Sequence, residues 1–269
     1  MALSAVLAEL LVVVTGLITV AAFTVVGTDR LEDGAEHWRQ RLRVMWRHFA
    51  VLAAVLALNK VARDYGPEFS WILNWNVTGL IYSVEGNTVA VVQSIATPEL
   101  TAFLGFTYVY GYTFLLVFPF LAYFVLDDAW PLERTIVAYS VNYVVGVACY
   151  TAFVSYGPRN LLPDMVAPLL YTEYPLSKLL TSRVNANTNV FPSLHASLST
   201  AVAYLSIQTR EVYPRWTVVA VPLATAVAFS TMYLGIHWAV DVVAGIVLGV
   251  GSVLVADRVT RPDEPDRSL

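Results

Sequence analysis

Apolar residues in this chain run in long blocks rather than in alternation. Five blocks (3–27, 100–126, 135–156, 215–234 and 236–256) are each long and apolar enough to cross a bilayer as a helix, which takes roughly 20 residues. Two weaker blocks, 46–63 and 193–209, carry more polar positions, and the second holds several Ser and His195. Polar side chains within a spanning segment ordinarily face a protein interior or a cavity rather than lipid. The pattern predicts an all-α, polytopic membrane helix bundle of seven spans. The first block lacks a positive leading segment, is too long for a signal-peptide core and contains Glu9, so it reads as a retained anchor. Segment 64–99 contains Trp71, Trp75 and Tyr82, residue types that favour the membrane interface. Segment 157–191 contains Pro158, Pro163, Pro168 and Pro175, which exclude one continuous helix. The expected organisation is an N-terminal anchor and basic loop (1–45), a membrane domain (46–257) and a polar, disordered tail (258–269).

Composition agrees with the blocks. Of 269 residues, 57% are hydrophobic and 13% charged, whereas soluble domains carry near 25% charge. An ordinary soluble enzyme is excluded, and so is a disordered chain. The net charge of -4 gives no nucleic-acid footprint. Cys149 is alone and cannot form an internal disulfide. The four His (His37, His48, His195 and His237) have no metal-ligand spacing, so the expected chemistry uses no metal or other cofactor.

The few charges set an orientation. With seven spans, one side holds Arg30, Arg39, Arg41, Arg43, Arg47, Arg134, Arg210, Arg215, Arg258, Arg261 and Arg267. The other holds Lys60, Arg63, Arg159, Lys178 and Arg183. Basic residues favour the cytoplasmic side, so a cytoplasmic C-terminus in a multi-pass cell-membrane protein is predicted.

Three polar stations fall on the opposite, extracytoplasmic side. They are Tyr156-Gly157-Pro158-Arg159, Phe191-Pro192-Ser193-Leu194-His195-Ala196-Ser197, and Tyr233-Leu234-Gly235-Ile236-His237-Trp238-Ala239-Val240-Asp241. His237 and Asp241 are four apart and share a helix face. A carboxylate beside an imidazole fixes its tautomer and stabilises its cation, leaving the second ring nitrogen to act as a nucleophile. His195 is a second imidazole for proton transfer. Ser193 follows a helix-starting Pro and can present an N–H and a hydroxyl to an anion at a helix N-terminus. Arg159 can grip phosphate oxygens bidentately. This set suits phosphoryl transfer through a phosphohistidine.

FPSLHAS and YLGIHWAVDVVAG, in that order and with one span between them, resemble the second and third signature motifs of the type 2 phosphatidic acid phosphatase superfamily. That family's patterns read Pro-Ser-x-His and Ser-x-x-Tyr-x-Gly-x-His-x-x-x-Asp, and Ser230 fits the start of the latter. The resemblance covers roughly 100–256 and implies a six-helix core, to which the first block adds an N-terminal helix. It implies His237 as nucleophile, Asp241 as its orienting partner, His195 as acid for the leaving group and Ser193 as a phosphate ligand. The family's first motif, Lys-x6-Arg-Pro, is absent. Gly157-Pro158-Arg159 resembles the Pro-Pro-Arg of one branch, which makes Arg159 the substitute cation, with Lys178 and Arg183 as possible helpers. The string Thr231-Met232-Tyr233-Leu234 is similar to the inositol phosphorylceramide synthase branch, whose members transfer a phospho-alcohol head group between lipids. Tyr233 is a candidate substrate contact and as readily a packing or interface residue.

The expected activity is therefore a lipid phosphatase acting on a phosphate monoester or a polyprenyl pyrophosphate, with head-group transfer as the alternative acceptor chemistry. A lipid transporter or catalytically inactive lipid-binding protein is the competing class. Its usual signature, interrupted helices in repeated halves, is not seen. Blander roles stand beside the chemical ones: Ser193 as a helix cap, Arg159 as an interfacial anchor, Ser197, Ser199 and Thr200 as packing residues, and Arg39 to Arg47 as a topology signal. Glu9 has no role in this reading.

Overall fold

The structure, a computed structural model, describes residues 2–174 and 190–260, apart from the side chains of 2, 63–69, 71 and 173. It is an all-α bundle. Six segments are long and apolar enough to cross a membrane among the described residues: Leu3–Val26, Thr28–Ala62, Pro98–Phe124, Trp130–Ala152, Pro214–Tyr233 and Ala239–Val259. In chain order the helices are α1 (Ala2–Ala21), α2 (Thr28–Leu73), α3 (Thr78–Glu85), α4 (Thr88–Gln93), α5 (Pro98–Phe106), α6 (Tyr112–Phe124), α7 (Trp130–Ala152), α8 (Pro158–Leu161), α9 (Leu169–Glu173), α10 (Leu194–Gln208), α11 (Pro214–Tyr233) and α12 (Ala239–Val259). Strands β1 (Trp75–Asn76) and β2 (Phe153–Val154) pair in parallel.

Six of the seven expected spans meet that length and apolarity, and α10 is the shorter one. This helix has 15 residues, about 22 Å at 1.5 Å per residue, short of the roughly 30 Å hydrocarbon core. It nevertheless links the two ends of the bundle. At one end Ser193 N–H donates to the Asp241 carbonyl at the start of α12, 3.0 Å away. At the other, Gln208 meets Arg134 of α7 and Asp257 of α12. The helix can be short because it is enclosed: Leu194, Ala196, Ser197, Leu198, Ala201, Val202 and Leu205 are all buried among its neighbours. The alternation of directions assumed in the charge count is therefore kept.

Block 46–63 is part of one 46-residue helix, α2, so the division expected at 45/46 falls in mid-helix. The start of α2 runs along the bundle end opposite the three stations. There Arg30 donates to the Val212 carbonyl, and Arg41 bridges Asp33 (2.7 Å) and Asp127 (2.9 Å). Arg134 pairs with Asp257. Segment 64–99 carries three short pieces after the end of α2. Its Trp75 and Tyr82 are exposed, while Trp71's side chain lies outside the described set. Glu9 accepts a hydrogen bond from the Tyr110 hydroxyl (2.7 Å), which ties α1 to the bundle. The proposed tail lies outside the described residues beyond Thr260.

Close approach of α10 and α12 is made by glycine. A Cβ on Gly245 would collide with the Ser193 carbonyl, and one on Gly249 with the Ser197 carbonyl. Small residues spaced by four let two backbones approach in this way. Ser197 in turn hydrogen-bonds Asn142 of α7, and Asn142 donates to Ser252 of α12. A buried polar contact thus ties three helices below the stations.

Candidate functional site

Three chain reversals converge at one end of the bundle. After α7 ends, Gly157 passes the loop joining α11 to α12 so closely that a Cβ there would lie 2.5 Å from the Ile236 carbonyl oxygen. Next to it, Arg159 N–H donates to the Gly235 carbonyl at 3.3 Å. Gly235 itself has φ +71°, a conformation that side chains with a Cβ rarely adopt, so the turn needs glycine. The first and third stations are therefore joined backbone to backbone. The second and third are joined by the Ser193–Asp241 contact described above. Tyr150 adds a bond from its hydroxyl to the Pro192 carbonyl (3.0 Å).

His237 sits on the turn before α12 rather than on the shared helix face expected from the sequence, because the helix begins only at Ala239; Asp241 is in its first turn, and both are almost fully buried. Nδ1 of His237 lies 3.4 Å from Oδ2 of Asp241. The same oxygen accepts from the Trp238 N–H (2.9 Å), so the carboxylate also caps its own helix. Such contacts are often loose before substrate binds. With Nδ1 turned to the carboxylate, Nε2 of His237 is the nitrogen left to react. The His195 ring lies 6.3 Å from that of His237, centroid to centroid, tilted by 55°. Both imidazoles are thus within reach of one phosphoryl group.

Ser193 is fully buried and is the N-cap of α10, its Oγ accepting from the Ala196 N–H (3.3 Å). Its own N–H is committed to Asp241. The hydroxyl hydrogen, rather than the backbone N–H expected from the sequence, is what remains for a phosphate oxygen. Arg159 lies half-buried, stacked on Tyr171 at 4.8 Å and donating to the Tyr171 hydroxyl through Nη2 (3.0 Å). Its Nη1 is buried without a hydrogen-bond partner among the described residues. A buried donor left unpaired is costly, and here it is the donor that an anion would satisfy.

Lys178 and Arg183 fall outside the described residues. Tyr233, expected as a substrate contact, is fully buried. Its hydroxyl meets Thr101 Oγ1 at 2.7 Å, and its ring packs with Leu104, Tyr108 and Leu170. It forms the wall behind the site rather than an open surface.

The sequence reading missed the aromatic box around His195. Tyr108 stacks on its ring (4.5 Å, 22°) and Tyr112 lies against it (4.3 Å, 39°). Both tyrosines flank or enter the π-helical turn Thr107–Gly111 between α5 and α6, a distortion that often marks functional sites. The available signal was the four-residue spacing of Tyr108 and Tyr112, which puts them on one helix face.

A family model described as the PAP2 superfamily matches residues 83–255. That stretch contains all three stations, including the turn with His237 and the start of α12 with Asp241. No curated protein and no solved structure matches the chain.

Proposed function

The chain belongs to the PAP2 superfamily, membrane enzymes of phosphatase or phosphotransferase type, and on that premise we propose that it cleaves a lipid phosphate monoester or polyprenyl pyrophosphate through a phosphohistidine. The observation that carries this reading is the buried His237–Asp241 pair at 3.4 Å with a second imidazole beside it. In the first step His237 Nε2 bonds to phosphorus while the bond from phosphorus to the lipid oxygen breaks. His195 gives that oxygen its proton. In the second step His195 takes a proton from water, the resulting hydroxide bonds to phosphorus, and the phosphorus–nitrogen bond breaks to release phosphate. Arg159 Nη1 and the Ser193 hydroxyl hold the non-bridging oxygens. Fixed donors of this kind supply most of the catalysis in phosphoryl transfer.

Head-group transfer is the second reading, favoured by the Thr231–Leu234 string similar to the inositol phosphorylceramide synthase branch. The nucleophile and acid are then the same, and a lipid alcohol or inositol replaces water. The split of eleven basic residues against five supports an extracytoplasmic site and a cytoplasmic C-terminus.

Purified protein in detergent, given phosphatidic acid, polyprenyl pyrophosphate and a labelled phosphoinositol lipid with an alcohol acceptor, tests both readings. Phosphate release that His237→Ala abolishes supports the phosphatase. Head-group exchange without phosphate release selects the transferase. Activity that survives His237→Ala contradicts the nucleophile. In right-side-out vesicles, phosphate should appear outside, and release only into the lumen would contradict the orientation.

A further inference from the structure

The turn that carries His237 is held from outside its own helices. It leaves α11 at Tyr233 and enters α12 at Ala239, so it lies between the orphan carbonyls of one helix and the orphan N–H groups of the next. The α3–α4 hairpin, a part of 64–99 to which no chemistry was assigned, supplies partners on both sides. On the exit side, Glu85 Oε1 accepts from the Ala239 N–H (2.8 Å) and Oε2 from the Val240 N–H (3.0 Å). On the entry side, Gln93 Nε2 donates to the Tyr233 carbonyl (2.9 Å). The same amide holds Ala167 through both its donor and its acceptor, at 2.9 and 2.8 Å, next to the segment that brings Tyr171 to Arg159.

The hairpin is itself anchored to the first station. Val77 N–H donates to the Val154 carbonyl (3.0 Å), and Tyr156 N–H donates to Thr78 Oγ1 (3.0 Å). Tyr82 packs on Trp238, whose Nε1 donates to the Tyr156 carbonyl (2.8 Å). With Asp241 on the Trp238 N–H, the first three N–H groups of this region are all taken by carboxylates that belong to the protein.

We propose that the α3–α4 hairpin is a bracket that positions His237 for attack, with Glu85 and Gln93 as its positioning residues. Glu85 has a second effect. A helix N-terminus attracts anions, and its carboxylate fills the one at α12, leaving phosphate to the Ser193 hydroxyl and Arg159. The bracket rests on the reading of His237 as nucleophile, and a small displacement of a reacting group is enough to cost about 10- to 100-fold in rate.

The test uses full-length protein in detergent, comparing wild type, Glu85→Ala and Glu85→Gln. Two readouts are taken: kcat and KM for phosphate release, and the ring nitrogen resonances of His237, assigned by their loss in His237→Gln. Glu85→Ala should lower kcat by about 10- to 100-fold with KM within about twofold. It should shift or split the His237 signals, and added formate, a free carboxylate, should reverse both changes. Glu85→Gln, which keeps one acceptor, should fall between. Wild-type kcat and unshifted His237 signals in either variant would overturn the bracket. So would losses that formate does not restore. If Glu85→Ala does not fold, the Glu85→Gln readings decide alone. Should wild-type protein release no phosphate while its His237 signals still respond to Glu85→Ala and formate, the bracket stands and the phosphatase reading fails.

Discussion

Asp241 serves three partners from one buried position. Its Oδ2 faces His237 and caps Trp238, and its carbonyl receives Ser193. A carboxylate fully out of water costs several kcal/mol unless it is paired, and the imidazole of His237 stands beside it. Asp241→Asn keeps the size and the acceptor for Trp238 but removes the charge. It should lower kcat by about 10³- to 10⁴-fold, the scale seen when a triad carboxylate is neutralised, with little change in thermal unfolding. An Asp241→Asn protein within tenfold of wild-type turnover would contradict the orienting role. His237, Asp241, His195 and Ser193 were legible in the sequence because their spacing is local and each lies within a short run. Tyr171 and Gln93 were not legible, since their partners are Arg159 and Tyr233, 12 and 140 residues away along the chain. Glu9 looked anomalous for the same reason, its partner being Tyr110.

At the scale of elements, the distance between the stations is set by how closely α10 meets α12. Gly245 and Gly249 place that contact under Ser193 and Ser197, where the obstructing atoms are backbone carbonyls that cannot rotate away. Gly249→Val should push the helices apart, destabilise the fold by about 1–3 kcal/mol and lower the melting temperature in detergent. Gly251, with nothing near its Cβ position, is the control, and equal effects of Gly251→Val and Gly249→Val would contradict this account. Hydropathy blocks located all the main helices because apolar content reports burial in lipid or protein. They did not report that α10 ends about 8 Å short of a hydrocarbon core, because enclosure by other helices leaves the same mark as contact with lipid. Nor did they show that α2 runs unbroken through the charged stretch 28–47. That stretch has too few apolar residues for a span, but it stays helical by packing its Arg41 and Met45 against the turn between α6 and α7.

For the molecule as a whole, polar chemistry is divided between two ends. One gathers Arg41, Arg134, Asp33, Asp127 and Asp257 into ion pairs among themselves. The other gathers two imidazoles, the carboxylates of Asp241 and Glu85, and a guanidinium with one buried donor left without a hydrogen-bond partner among the described residues. The second end lies within the stretch matched by the family model. The central claim is that His237 carries the phosphoryl group during turnover. The direct measurement is to mix the protein with a ³²P-labelled lipid phosphate, quench within milliseconds in base, and map the label by mass spectrometry. A phosphoryl group on His237 that is base-stable, acid-labile and more abundant in His195→Ala is the predicted result. Turnover of the lipid with no label on His237, or label retained in His237→Ala, would contradict it.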